Sequence, residues 1–266
     1  IYSFRGADIS NILNFEKDFK DARLIKLEQN YRSTSNILDT ANSLIENNIK
    51  RKDKNLWTAN GSGDEVLYKN NSVESEESKF VVDEIKSLIN SGYSYGDIAI
   101  LYRTNAQSRP FEEALMKNLI DYKVIGGLKF YDRKEIKDLI SYLKIIVNPK
   151  DDVALKRIIN EPKRGIGNKS VEQLSIIASE NDISMLDLIT NPDYDHLLSD
   201  RLKKLAHKFY NPLKEIFEKA LNYTITDLIN EVLDKSGYLK VLESSYSVED
   251  RARIDNINEF ISAASE

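Results

Sequence analysis

Cysteine is absent from the 266 residues, which excludes disulfides and thiolate metal ligation and mildly favours a reducing compartment. Histidine is nearly absent: His196 and His207 stand alone without spaced partners, against an imidazole metal centre or a nucleophilic triad. No run approaches the roughly 20 apolar residues needed to cross a bilayer, so no membrane partner is expected. No G-x-x-x-x-G-K-[ST] segment occurs, so the chain has no phosphate-cradling loop of its own. Neither sign of charge dominates. The 38 basic and 43 acidic side chains leave a net −5, split as −1 over residues 1–131 and −4 over 132–266. Any nucleic-acid surface must therefore be a local patch. The chain also opens on Ile1 without a methionine or a targeting pattern, as expected of a piece of something longer.

What is present suits a folded, soluble chain. Hydrophobic residues make up 41% and charged residues 30%, and the length fits one large or two ordinary domains. The first 131 residues alternate two kinds of pattern. Arg23–Leu27, Val66–Tyr68, Ile98–Tyr102 and Tyr122–Ile125 read as strands, the third as one covered on both faces. Between them, helices are predicted after a Ser33 N-cap, over Ser75–Ile89 and over Gln107–Leu119. Such alternation predicts an α/β layer built on a parallel sheet with flanking helices. From Asp132 the period becomes helical throughout, beginning with Ile136, Leu139, Ile140, Leu143, Ile146 and Val147 and stopping near Asn148-Pro149. An all-α part is expected there, with the boundary near 126–132.

Three clusters could carry chemistry. Tyr2, Phe4 and Arg5 beside Gly6 would suit a base-stacking platform, or simply a strand end with buried aromatics. Tyr31 and Arg32 follow a predicted strand and precede a helix. At that place an aromatic can stack on a base and a guanidinium can fork onto phosphate, although on the residues alone a helix-capping turn with a solvated arginine is the better explanation. Arg103 and Asn105 occupy an analogous position after Ile98–Tyr102. Finally, Arg164-Gly165-Ile166-Gly167-Asn168-Lys169 places a glycine turn between two helices, where backbone amides can approach a phosphate closely. Residues 150–170 carry six basic side chains against three acidic ones, so the turn lies in a basic patch of an otherwise acidic region. A tight helix–helix turn with incidental charge is the competing reading. Asp83-Glu84, Trp57 and the run Arg201-Lys203-Lys204-Lys208 read as ordinary helix and packing residues.

Five segments in this order resemble the UvrD/Rep/PcrA-type superfamily 1 DNA helicases, the bacterial PcrA group most of all. They are Ile-Tyr-Ser-Phe-Arg-Gly-Ala-Asp (1–8), Leu-Glu-Gln-Asn-Tyr-Arg-Ser-Thr (27–34), Leu-Tyr-Arg-Thr-Asn-Ala-Gln-Ser-Arg (101–109), Gly-Gly-Leu-Lys-Phe-Tyr-Asp-Arg-Lys-Glu-Ile-Lys-Asp (126–138) and Pro-Lys-Arg-Gly-Ile-Gly (162–167). The resemblance implies an internal fragment of a bacterial, cytoplasmic, ATP-dependent 3′→5′ helicase acting on single-stranded DNA and on single/double-strand junctions in repair or replication. It implies that residues 1–30 end a first RecA-like motor domain, 31–131 begin a second, and 132–266 form an inserted helical subdomain. By the same resemblance Tyr31 packs on adenine and Arg32 reaches the ATP γ-phosphate. Tyr2, Phe4, Arg5, Arg103 and Asn105 would hold the single strand, with Phe4 standing where many relatives carry tryptophan. Arg164, Gly165, Ile166, Gly167 and Lys169 would meet duplex DNA, and the 126–138 junction would be a place of swivelling. ATP and Mg2+ would serve the whole protein, with the magnesium ligands and phosphate loop outside this chain, so the chain alone is expected to be inactive. Repair or replication proteins are possible partners. A non-enzymatic DNA- or protein-binding module, or a subunit of a helicase-nuclease, is the rival reading.

Overall fold

The computed structural model describes residues 8–49, 51–245 and 247–265, which form two compact units dividing between Ser72 and Val73. The first holds two helices, α1 (Ser10–Asp18) and α2 (Ser35–Glu46). The predicted N-cap moves by one residue, to Thr34, because Asn30 Oδ1 already accepts the amides of Arg32 and Ser33, at 3.0 and 2.8 Å. The opening amides of α2 are taken by a loop instead: Ser35 N–H donates to Gly61 O at 2.9 Å and Asn36 N–H to Ser62 O at 3.2 Å. That close approach requires glycine at 63, where φ is +67° and a Cβ would lie 2.5 Å from the Thr34 side chain. Leu38 is the only fully buried apolar side chain among the described residues of this unit, while Ile12, Phe15, Leu24, Ile25 and Leu27 stay exposed.

The second unit carries the main core. Helices α3 (Glu74–Asn90) and α4 (Ser108–Lys117) close over Val82, Ile85, Leu115 and Ile120. Eight further helices follow among the described residues: α5 (Lys134–Val147), α6 (Asp152–Ile158), α7 (Asn168–Glu180), α8 (Met185–Thr190), α9 (Asp200–Lys219), α10 (Ile225–Ser236), α11 (Tyr238–Glu243) and α12 (Val248–Ser265). Their starts are chemically marked, since Asp151, Ser184, Ser199 and Thr224 each cap a helix by accepting an amide three residues on. Gly237, in the left-handed region at φ +74°, ends α10. Helix α5 runs through the core. Its stripe Ile136, Leu139, Tyr142 and Ile145 is almost wholly buried, the last three in one cluster with Leu155, Ile158, Phe209 and others, and burial of each such side chain is worth about 1.5–3 kcal/mol.

The expected α/β class is overturned. Among the described residues no sheet forms, and the only β pairing is one parallel bridge between Gln29 and Trp57. Arg23–Leu27, Val66–Tyr68, Ile98–Tyr102 and Tyr122–Ile125 contain no strand. The architecture is all-helical. An apolar run can favour extended backbone, but a strand exists only where a neighbour supplies ladder hydrogen bonds, whereas a helix satisfies its own backbone. Ile98 and Ile100 do turn inward onto the α3–α4 cluster. Leu101 is 88% exposed, so the segment is covered on one face and not on two.

Candidate nucleotide and nucleic-acid sites

In the first unit, the chain before α2 is fastened from one side. Asn30 N–H donates to Trp57 O at 2.7 Å, and Trp57 N–H donates to Glu28 O at 3.0 Å. Asn60 Nδ2 reaches the carbonyls of Tyr31 and Ser33, at 3.3 and 3.4 Å. With the Asn30 turn, these bonds fix the backbone of 30–33 and leave the Tyr31 and Arg32 side chains exposed. The Tyr31 ring is 79% exposed, its hydroxyl donating to Gln29 Oε1 at 3.1 Å. The Arg32 guanidinium is exposed and has no partner among the described residues. An open aromatic face beside an unpaired guanidinium can take a planar base and an anionic oxygen. Tyr2, Phe4 and Arg5 lie outside the described residues.

In the second unit, Asn105 opens a short 3-10 turn (Asn105–Gln107) ahead of α4, and Arg103 stands just before it. Gln107 Oε1 accepts the amides of Arg103 and Thr104, at 3.0 and 2.9 Å. Both side chains are exposed, and the Arg103 guanidinium is unpartnered among the described residues. The Asn105 carbonyl points the other way and accepts from Arg133 Nη2 at 3.0 Å.

The turn between α6 and α7 separates into an inner and an outer part. Ile166 is buried in the core, whereas Gly165, Gly167, Asn168 and Lys169 are exposed. Gly165 has φ +80° and nothing within 4 Å of a would-be Cβ, and Gly167 is the N-cap of α7 with open space beside it. Asn160 Oδ1 accepts the amides of Arg164 and Ile166, at 2.8 and 3.0 Å. Arg164 itself turns inward. Its Nη1 donates to the Ile158 and Pro162 carbonyls, at 3.2 and 3.1 Å, and its Nη2 to Tyr142 Oη and Ser236 O, at 2.9 and 3.0 Å. Burial pushes the Tyr142 phenol above its ordinary pKa, partly offset by the Arg164 charge, so it stays protonated and donates to Glu161 O at 2.6 Å. Arg157 is also spent locally, on Asp138 at 2.8 Å. Of the six basic residues in the patch, Lys150, Lys156, Lys163 and Lys169 remain without an ion-pair partner among the described residues.

Sequence reasoning missed a polar junction between α4, α5 and α12. Arg133 Nη1 donates to Asn256 Oδ1 at 2.8 Å, and Asn256 Nδ2 donates to Glu135 Oε1 at 2.6 Å. Glu112, also buried, accepts from Ser108 Oγ at 2.6 Å and Tyr122 Oη at 3.0 Å. Burial lowers the Arg133 pKa, while the Glu112 and Glu135 charges act in the opposite sense. A second hub, Asp138, is 1% exposed and accepts from Tyr238 Oη at 2.7 Å and Lys134 Nζ at 3.1 Å. Burial first, then the Asp138 charge, raises the Tyr238 pKa and keeps its phenol a donor. No buried side-chain polar atom among the described residues lacks a partner. The available signal was the placing of Glu135 and Asp138 beside Ile136 and Leu139, on a helix face otherwise apolar.

No group of three potential metal-ligating side chains occurs among the described residues, and no helix there is long and apolar enough to cross a membrane. The UvrD-like helicase C-terminal domain family matches residues 25–266. An ATP-dependent DNA helicase PcrA from Staphylococcus epidermidis is 49% identical over 262 residues, covering 98% of this chain and 36% of that protein. The protein of the same description from Staphylococcus aureus shows the same identity and coverage. The chain thus spans about 36% of the length of the curated relatives it matches.

Proposed function

Since the chain belongs to the family of UvrD-like helicase C-terminal domains, we propose that it is an internal part of an ATP-dependent 3′→5′ DNA helicase of the bacterial cytoplasm. The whole protein would track along single-stranded DNA and open duplex in repair or replication. Residues 1–30 would close one motor domain, 31–131 open the next, and 132–266 form an inserted helical subdomain.

The residues on the nucleotide side fit ATP. Tyr31 offers an uncovered ring for adenine, and Arg32 offers a guanidinium that no carboxylate of the described residues neutralises. ATP, bound with Mg2+ held by residues outside this chain, supplies the phosphoryl transfer that drives movement. Arg32 would stabilise charge on the transferring group as an arginine finger does. Tyr31 binds and orients, and Asn30 and Asn60 hold the backbone from which both side chains project. Arg103 and Asn105, together with Tyr2, Phe4 and Arg5, would hold the single strand.

The observation that carries the DNA reading is the outward face of the 165–169 turn. Two glycines there leave backbone unshielded at the start of α7, with Lys169 exposed beside them. Such a surface grips phosphates and reads no bases. Fluorescence anisotropy of the chain with a labelled, tailed duplex, titrated in salt, tests it. Wild type should bind with a salt-dependent affinity that Gly165→Asp/Lys169→Glu abolishes. Equal binding by that variant would place the contact elsewhere.

A further inference from the structure

Arg164 leads directly into the proposed DNA-gripping turn, and its geometry does not suit a DNA contact. Its guanidinium is committed to five acceptors from three parts of the second unit: the Ile158, Ile159 and Pro162 carbonyls in its own connection, Tyr142 Oη on α5 and Ser236 O at the end of α10. The plane also lies over the Phe209 ring, with the central carbon 5.4 Å from the ring centroid. A phosphate would have to displace these bonds, and the displaced carbonyls would lose a charged donor in a half-buried place.

We propose that Arg164 is a positioning residue: it acts on DNA only through the turn, holding residues 165–167 at the orientation in which their backbone and Lys169 meet the phosphates. Tyr142 is the second member of the device. At 1% exposure it is out of reach of any ligand, yet its hydroxyl donates to Glu161 O at 2.6 Å and accepts from Arg164 at 2.9 Å. It thereby pins the entry to the turn and the arginine together. Asn160 and the buried Ile166 fix the inner side of the turn, and the exposed glycines are left open with Lys169 beside them. The two glycines of the turn thus sit on a frame tied down by hydrogen bonds on both sides. That is the arrangement a preorganised anion grip requires, because the ordering entropy is then spent on folding and not on binding.

The inference rests on the turn being the duplex contact, and the test separates the two. Affinity and salt slope for a tailed duplex are measured on this chain at a temperature well below unfolding, with circular dichroism confirming helix content. Lys169→Gln probes the contact itself and should lower the slope of log K against log salt by about 0.9, one phosphate's worth. Arg164→Gln and Tyr142→Phe should each weaken binding about fivefold, the scale of one hydrogen bond, with the slope unchanged. Together they should weaken it little more than Arg164→Gln does alone, since both break one linkage. A slope reduced by Arg164→Gln, with wild-type binding by Tyr142→Phe, would make Arg164 a direct phosphate contact and overturn the proposal. Wild-type binding by both variants would reduce Arg164 to a fastener of the fold and overturn it equally. Tyr142→Phe decides the matter alone if Arg164→Gln does not fold. Wild-type binding by Lys169→Gln and Gly165→Asp, or no binding by wild type even at low salt, would instead remove the underlying reading.

Discussion

Arg109 Nε and Glu259 Oε1 meet at 2.6 Å across 150 residues of sequence, joining the first turn of α4 to the last turns of α12. Arg109 is only 3% exposed and also faces Glu113 at 3.3 Å and Glu74 at 3.9 Å. Helix α12 needs such an anchor, because among its described residues only Asn256 and Ile257 are fully buried. Removing one side of a buried pair strands the other, so Arg109→Ala should cost about 3 kcal/mol in urea unfolding. Glu259→Ala should cost less, about 1–2 kcal/mol, because Arg109 keeps its two other carboxylates. Lys219→Ala, which breaks the exposed bridge to Glu215 at 2.7 Å, should leave the urea midpoint close to that of wild type. Equal costs for Arg109→Ala and Lys219→Ala would mean that the junction contributes nothing beyond a surface pair.

The same junction shows what the sequence could and could not disclose. The helical stripe of α5 was legible because periodicity is local: Ile136 and Leu139 face inward whichever neighbour covers them. The start of α2 was legible to within one residue for a similar reason, the miss arising from the turn chemistry of Asn30. Burial of a charge is not local. Nothing near Arg133 in the sequence marks it as buried, because Asn256, which accepts its hydrogen bond, is 123 positions away. The strands failed on the same ground, as Ile98–Tyr102 specifies an extended backbone without specifying a partner. Tyr31 and Arg32 were singled out from their place ahead of a helix, and both are exposed. Arg164 was found from the charge of its patch, and charge does not reveal that a guanidinium turns inward onto Ser236.

The start of α12 gives a pH dependence of known sign. Ser247 Oγ donates to Asp250 Oδ2 at 2.7 Å and accepts the Asp250 amide at 3.0 Å. Hydrogen bonds from Ser245 and Ser247 hold the Asp250 carboxyl below its ordinary value of 3.8. A carboxyl whose folded pKa is depressed stabilises the fold above its unfolded pKa, and that contribution is lost as pH falls through the folded value. Hydrogen exchange of the first-turn amides of α12 should therefore be constant above about pH 5 and quicken, relative to the intrinsic rate, below about pH 4. Ser247→Ala should remove most of that acid-side change, being already frayed at neutral pH. An unchanged acid profile in Ser247→Ala would show that the cap does not govern the helix end.

The function proposed above gives the neighbours Tyr31 and Arg32 different tasks, and ATPase kinetics of the proposed full-length helicase should separate them. A ring that packs on a base contributes equally to ground state and transition state, so Tyr31→Ala should raise KM for ATP about tenfold with kcat largely kept. A guanidinium that meets charge developing on the transferring phosphoryl group acts mainly in the transition state. Arg32→Ala should lower kcat by about 10³-fold with a much smaller change in KM. Arg32→Lys should recover little of it, because an ammonium keeps the charge but not the two-pronged geometry. The chain by itself should hydrolyse no ATP above blank, since it contains no phosphate-cradling loop. Hydrolysis by the isolated chain that disappears in Arg32→Ala would mean that a complete catalytic site lies within these residues. An Arg32→Ala effect confined to KM would instead make the residue a nucleotide-binding contact with no part in the chemical step.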